Sequence, residues 1–170
     1  MRRLGLAFAF VLFASQAFAE TWPIRPNWHT TPGVSRDLTV TQICRTKWGS
    51  DERAVTAAMK QQVIDAYNFD QRACPITIRK KKRQHRAEID HLIPRSLGGA
   101  DDVKNLWPQC YEPVRKPKRL QAWGANRKDR LEKHLHQQVC EAKSEQMLRS
   151  YQQKFKRDWI ALYREIYGDD

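Results

Sequence analysis

The first 19 residues constrain the rest of the chain most strongly, because they have the features of an export signal. Arg2 and Arg3 give a positively charged start, and the apolar stretch that follows is too short to span a bilayer. The tripeptide Ala17-Phe18-Ala19 fits a signal-peptidase site. We therefore expect residues 1–19 to be removed on export to the periplasm or the medium. An uncleaved anchor is the alternative.

Export determines how the four cysteines are interpreted. They are Cys44, Cys74, Cys110 and Cys140. In an oxidising compartment an even number of cysteines predicts disulfides, here two of them. Three pairings are open, since spacing alone does not choose between them. A zinc site built from all four cysteines is the alternative, and the absence of a Cys-x2-Cys pair disfavours it.

The mature part of the chain has the length and the patterning of one domain. A proline-rich arm is expected at residues 20–36, and the domain itself at residues 37–167. Apolar residues recur at helical spacing in three segments, which are 51–67, 126–142 and 144–167. A short β-prone piece lies at Ile76-Thr77-Ile78. The predicted fold class is α+β, mainly helical with a small β element.

The charge of the chain predicts a polyanionic partner. The full sequence carries a formal net charge of +12 at pH 7, which favours nucleic acid, an anionic membrane or an acidic glycan. The basic residues fall in three clusters: Arg79, Lys80, Lys81, Lys82, Arg83 and Arg86; Arg115, Lys116, Lys118 and Arg119; and Arg127, Lys128 and Arg130. Such clusters bind phosphates without reading base sequence, although at least one is expected to be a solubilising face.

One short string has the residue types of a catalytic site. Asp90 and His91 are adjacent, and adjacent side chains of an extended segment point to opposite sides. A carboxylate is a hard ligand suited to Mg²⁺, while a neutral imidazole takes a proton from water near neutral pH. Pro94 and the Gly98-Gly99 pair then predict a loop. The alternative is a surface hairpin with an incidental ion pair.

These residues together resemble a known family. The Asp-His pair at 90–91, the Gly-Gly loop and the Asn-Leu-Trp-Pro string at 105–108 are similar to the HNH (ββα-metal) endonucleases, and especially to small exported bacterial members. The similarity extends to Gln-Ile-Cys at 42–44, to Lys-Asp-Arg-Leu-Glu at 128–132 and to Val-Cys at 139–140. It covers most of the mature chain.

The resemblance implies a fold and a set of roles. A hairpin and a helix would form a ββα core around one divalent metal ion, within a disulfide-bonded domain. Asp90 would be a metal ligand, and His91 the general base that activates water. Asn105 would orient His91 and the loop. Arg95, which follows in the loop, is a candidate phosphate clamp, because a guanidinium suits oxyanions; an ordinary surface charge or a pair with Glu88 is the alternative.

The second metal ligand is the open point of this assignment. Asn126 is the best match to the last motif position, and its amide oxygen is an acceptable ligand. His134 and His136 are the alternatives if the helix begins later. The resemblance implies Mg²⁺ as the metal, with Mn²⁺, Ni²⁺ or Zn²⁺ as alternatives.

The same resemblance favours one disulfide pairing. The family has cysteines like Cys44 and Cys140, which implies that these two pair. Cys74 and Cys110 would then pair by elimination.

The predicted function is that of an exported, metal-dependent endonuclease that cuts DNA, and RNA as a further candidate, with low sequence specificity. The first alternative is a basic protein that holds nucleic acid or an anionic polymer on an HNH-like scaffold without cutting it. A toxin-like effector is a third hypothesis. No membrane contact after signal cleavage and no obligate protein partner are expected.

Overall fold

The computed structural model describes residues 24–69, 87–111 and 123–168. These residues form four helices and two strands, which in chain order are α1 (Val40–Arg45), α2 (Ala57–Ala66), β1 (Ala87–His91), β2 (Leu106–Cys110), α3 (Ala125–Ala142) and α4 (Glu145–Tyr167). Short 3-10 turns at Arg95–Leu97 and Val103–Asn105 lie between the strands. The predicted mixture of helices with a small β element is confirmed.

The two strands form an antiparallel pair that runs from Ala87 opposite Cys110 to His91 opposite Leu106. Directly opposed residues share a face of the sheet, so Asp90 shares its face with Trp107. The chain between the strands is a 14-residue segment, 92–105, that contains both 3-10 turns. The β-prone piece at 76–78, together with the basic runs at 79–86 and 115–119, lies outside the described residues.

The main core is formed where α3 and α4 pack together. Leu131, Leu135 and Val139 lie on one stripe of α3 and have no solvent exposure, as their four-residue spacing predicted. They belong to one buried cluster with Phe155 and Trp159 of α4. Burial of each such side chain contributes about 1.5–3 kcal/mol, so this stripe holds α3 firmly in place.

The predicted start of α2 is wrong by six residues. The helix begins at Ala57, because the Thr56 side chain accepts a hydrogen bond from the backbone N–H of Met59 and caps it there. The preceding residues instead contact the segment between the strands: the Ala54 N–H donates to Asp101 (2.7 Å). Helix α1 was not predicted, since six residues are too few to show a helical period.

Helix α4 is interrupted at Asp158, whose backbone is extended (φ −168°, ψ 101°). Its carboxylate accepts hydrogen bonds from the N–H groups of Ile160 and Ala161, which is how a cap starts a new helical segment. The same carboxylate pairs with Arg25 at 3.0 Å. The apolar spacing on both sides predicted one continuous helix and gave no sign of this break.

A disulfide joins Cys44 of α1 to Cys140 of α3, which confirms the first predicted pairing. Cys110 is also disulfide-bonded, and its predicted partner Cys74 lies outside the described residues. Because Cys44 and Cys140 are bonded to each other, the four-cysteine zinc site is ruled out. Within 24–69, 87–111 and 123–168 no helix is both long and apolar enough to cross a membrane.

Candidate active site

Asn105 holds the two ends of the inter-strand segment together. Its side chain is fully buried and accepts from the N–H of Ile93 (2.9 Å). Its amide nitrogen donates to the carbonyls of Ile93 (3.1 Å) and Ala100 (3.0 Å). Gly99 fits only because it has no side chain, since a Cβ there would lie 1.8 Å from the Ile93 carbonyl oxygen. Asn105 therefore fixes the loop that follows His91.

His91 ends β1, and its imidazole is almost completely buried, with 4% of the side chain exposed. Nε2 lies 2.7 Å from Oδ1 of Asp101. Burial lowers the pKa of His91 to about 4, although the carboxylates of Asp90 and Asp101 oppose that effect. The imidazole is therefore neutral at neutral pH.

The partner of His91 determines which ring nitrogen carries the proton. Burial acts to raise the pKa of Asp101, but hydrogen bonds from the Ala54 N–H and from His91 hold that pKa below its ordinary value. An ionised carboxylate only accepts hydrogen bonds, so Nε2 of the neutral imidazole must be the donor. This assignment leaves Nδ1 of His91 as the nitrogen that can accept a proton.

Asp90 of β1 is tied to α3 by a buried lysine. The Lys128 ammonium donates to Oδ2 of Asp90 (2.7 Å) and also pairs with Oε1 of Glu132, one turn further along α3. Lys128 itself has no solvent exposure, whereas 17% of the Asp90 side chain and 21% of the Glu132 side chain remain exposed. One buried cation thus holds two carboxylates.

These ion pairs and burial shift the pKa values of the carboxyl groups in different directions. Burial acts to raise the pKa of Asp90, but the Lys128 ammonium holds that pKa below its ordinary value. Burial raises the pKa of Glu132 to about 8 against the opposing effect of Lys128. Burial, and then the charge of Asp90, raise the pKa of Glu88 to about 7. The Asp90 carboxylate is therefore the group that stays ionised at neutral pH.

The predicted residues Asp90, His91 and Arg95 line one open cleft of about 200 Å³. Glu132 and Arg53 line it as well, and the Arg53 guanidinium donates to the Ile89 carbonyl at 3.1 Å. The cleft therefore brings together a neutral imidazole, two guanidinium groups and the three carboxyl groups of Asp51, Asp90 and Glu132. This combination suits hydrolysis of an anionic ester.

Arg95 already has acidic partners inside this cleft. Its guanidinium pairs with Asp51, donates to the Glu52 carbonyl (2.6 Å) and lies 3.3 Å from Oδ1 of Asp101. These contacts brace the inter-strand loop against the residues that precede α2. The pairing with Glu88 considered from the sequence is not the one found, and contact with a phosphate stays a prediction.

Comparison with known proteins gives the identity of this region. Residues 73–112 match the sequence model of the family described as HNH endonuclease. This segment is similar to HNH endonuclease domains. Asp90, His91 and Asn105 all lie inside it, and the family-level activity is that of a nuclease, which acts on nucleic acid. The match covers less than half of the chain. It ends at residue 112, so Lys128 and Glu132 lie outside it. No curated protein and no solved structure matches the chain.

HNH endonucleases use a divalent metal ion, and the donor atoms of the cleft fit one. Among the described residues no group of three or more His, Cys, Asp or Glu side chains is arranged to hold a metal. Mg²⁺ needs only one or two carboxylates, because water and substrate phosphate supply its other ligands. Asp90 and Glu132 provide two hard oxygen donors. Each carboxylate has two oxygens, so contact with Lys128 does not prevent contact with a second cation.

The helix residues predicted as the second metal ligand lie elsewhere. Asn126 is exposed in the first turn of α3, and its side chain does not line the cleft. The His134 ring lies 5.6 Å from that of Tyr167, and Nε2 of His136 lies 3.6 Å from Sγ of Cys140. Neither histidine lines the cleft.

The predicted nucleic-acid contacts on α3 need one correction. Lys128 was predicted to contact phosphates, but it is fully buried because its ammonium pairs with Asp90 and Glu132. The Arg127 guanidinium lies over the Trp123 ring, 4.6 Å from its centre. The predicted contacts Arg79, Lys80, Lys81, Lys82, Arg83 and Arg86 lie outside the described residues.

Three side chains of this site were not predicted from the sequence to belong to it: Asp101, Lys128 and Glu132. Asp101 follows the Gly-Gly pair, and its acidic side chain just after a sharp loop was the available signal. Lys128 and Glu132 carried a weaker signal, because their four-residue spacing on a helix is that of an ordinary surface ion pair.

Proposed function

We propose that the chain is an exported, metal-dependent endonuclease that hydrolyses phosphodiester bonds of DNA, and of RNA as a further candidate, with low sequence specificity. The observation that carries this proposal is the neutral His91 imidazole beside the Asp90 carboxylate in an open cleft of an HNH domain. A base, a donor for a cation and access for substrate are the three parts that such a reaction needs.

His91 acts as the general base. Its Nδ1 takes a proton from a water molecule as that water attacks phosphorus, and the bond from phosphorus to the leaving 3′ oxygen breaks. The Asp101 carboxylate holds the Nε2–H, orients the ring and stabilises the imidazolium that forms. A divalent cation, when bound, would neutralise charge on the phosphate and on the leaving oxygen.

Asp90 and Glu132 would hold that cation, and their oxygen donors favour Mg²⁺ or Mn²⁺. Ni²⁺ and Zn²⁺ prefer sites that include imidazole or thiolate ligands. The imidazole next to Asp90 has its Nε2 directed to Asp101, and its Nδ1 has the proposed role of the base. Asn105 supports the same site indirectly, because it fixes the loop that follows His91.

The N-terminal sequence, the disulfide and the net charge support export and low sequence specificity. The signal-like start and the Cys44–Cys140 disulfide suit an oxidising compartment outside the cytoplasm. The net charge of +12 suits binding to a phosphate backbone, which gives affinity without base readout. The non-cutting alternative is not favoured, since the family match is to endonucleases.

The test is incubation of the oxidised mature protein with supercoiled plasmid, in Mg²⁺ and in EDTA, while binding to a labelled duplex is followed by fluorescence anisotropy. We expect open-circular product in Mg²⁺ and none in EDTA. Binding without cutting in Mg²⁺ would support the non-catalytic alternative. Equal cutting in EDTA would remove metal dependence from the proposal.

A further inference from the structure

The Lys128 ammonium lies at the inner side of the candidate active site, and the two carboxylates that it contacts lie between it and the cleft. Lys128 has no exposure and does not line the cleft. Asp90 and Glu132 line the cleft and remain 17% and 21% exposed. Glu132 is therefore the side chain of α3 that Lys128 links to Asp90.

Lys128 contacts one oxygen of each of two carboxyl groups, namely Oδ2 of Asp90 and Oε1 of Glu132. A second cation in the cleft would bind at their other oxygens without entering the protein interior. Hard carboxylate oxygens favour Mg²⁺ or Mn²⁺ in such a position.

Helix geometry excludes Asn126 from the same face. A helical residue turns about 100° relative to its neighbour, so Asn126 lies roughly 200° around α3 from Lys128. Lys128 contacts Asp90, which means that Asn126 points to nearly the opposite side of the helix. Its exposure and its absence from the cleft lining agree with that geometry.

We propose that Glu132 is the helix-borne ligand that holds the divalent cation together with Asp90, in place of Asn126. This inference rests on the proposed metal-dependent nuclease, because it names a ligand of the same site. Lys128 holds both carboxylates from the inner side, through Oδ2 of Asp90 and Oε1 of Glu132.

The experiment is calorimetric titration of Mn²⁺ into the oxidised mature protein and into the variants Glu132→Gln and Asn126→Ala. Glutamine keeps an oxygen that can accept from Lys128, so the fold should persist, and thermal unfolding checks that point. We expect Glu132→Gln to weaken Mn²⁺ binding about tenfold or more, which is the size of loss seen when even an outer partner of a ligand is removed. Asn126→Ala should stay within about twofold of the wild type.

A loss of Mn²⁺ affinity in Asn126→Ala but not in Glu132→Gln would overturn the inference, as would a wild type that binds no Mn²⁺. Glu132→Asp, which keeps the charge but shortens the side chain, serves as a second variant if Glu132→Gln does not fold, and it should also bind Mn²⁺ more weakly. Plasmid cutting by the wild type in Mg²⁺ is measured in parallel. Failure of the nuclease proposal would therefore be seen separately from failure of the ligand assignment.

Discussion

At the scale of single residues, burial and hydrogen bonding determine which groups of the cleft are charged. Burial keeps the His91 imidazole neutral, and the ionised Asp101 keeps the proton on Nε2. The ring is thus prepared to accept a proton at Nδ1 before substrate arrives. In the proposed reaction Asp101 acts through His91, as a positioning residue.

Replacement of Asp101 by asparagine should reduce the rate of plasmid nicking about 10–100-fold. An amide presents both an acceptor and a donor, so the orientation and the protonated nitrogen of His91 would no longer be fixed. Asp102→Asn is the matched control, because the Asp102 side chain accepts from the Lys104 N–H, a contact that asparagine also makes. Equal rates for the two variants under single-turnover conditions would contradict the role of Asp101.

Glu88 supplies a prediction about stability and pH. Its folded-state pKa of about 7 lies above the ordinary value of 4.5, so the folded protein retains a proton that the unfolded chain releases between those pH values. The stabilising contribution of this group is present below pH 4.5 and is lost as pH rises to about 7, by at most about 3 kcal/mol. The Glu88→Gln variant has no carboxyl group at this position, so its stability does not include this pH-dependent loss.

The unfolding free energy of Glu88→Gln should therefore increase relative to the wild type as pH rises from 4.5 to 7. Urea unfolding in EDTA at several pH values measures the difference. Glu165→Gln, at an exposed position of α4, is the control for loss of a surface carboxyl group. If the difference between Glu88→Gln and the wild type is constant over this pH range, the raised pKa of Glu88 is wrong.

At this scale the sequence predicted the site residues that lie close to one another along the chain. Asp90, His91 and Asn105 could be found because the motif places them within 16 residues of each other. Glu132 and the burial of Lys128 could not be found, since they depend on a side-chain contact between α3 and β1 that spans 38 residues of sequence. Spacing within a helix does not show which side faces a strand.

At the scale of elements, the contact between β1 and α3 is the one on which the cleft depends. A buried ammonium connects the strand that carries Asp90 to the helix that carries Glu132. The apolar stripe of α3 was predictable from its period, whereas this polar contact on another side of the helix was not. The start of α2 and the break at Asp158 were also missed, because each is determined by a side-chain cap rather than by apolar spacing.

Lys128→Met should lower the unfolding free energy by about 3–5 kcal/mol, because it leaves the largely buried Asp90 carboxylate without its cation. Urea unfolding in EDTA measures this loss. Lys133→Met, at an exposed position of the same helix, should change stability by less than about 0.5 kcal/mol. A similarly small effect of Lys128→Met would show that the ion pairs do not hold α3 to β1.

At the scale of the whole molecule, the HNH domain depends on the chain around it. Residues 73–112 supply Asp90, His91 and Asn105, but Lys128 and Glu132 come from a helix beyond the family match. The Cys44–Cys140 disulfide and the α3–α4 core hold that helix in place. The sequence predicted the mixture of helices with a small β element and, through resemblance, this disulfide, because neither requires knowledge of how the helices pack; the ββα-metal core stays a prediction.

His91 is the proposed base of a phosphodiester-cleaving site. The initial rate of plasmid nicking in Mg²⁺ tests this role, measured for the oxidised wild type, for His91→Ala and for His134→Ala. His134 packs against Tyr167 and does not line the cleft, which makes it a matched histidine control. We predict that His91→Ala loses about a hundredfold or more of the rate, the usual contribution of a general base, while His134→Ala stays close to the wild type. A His91→Ala protein that is folded and nicks plasmid as fast as the wild type would show that His91 is not the base.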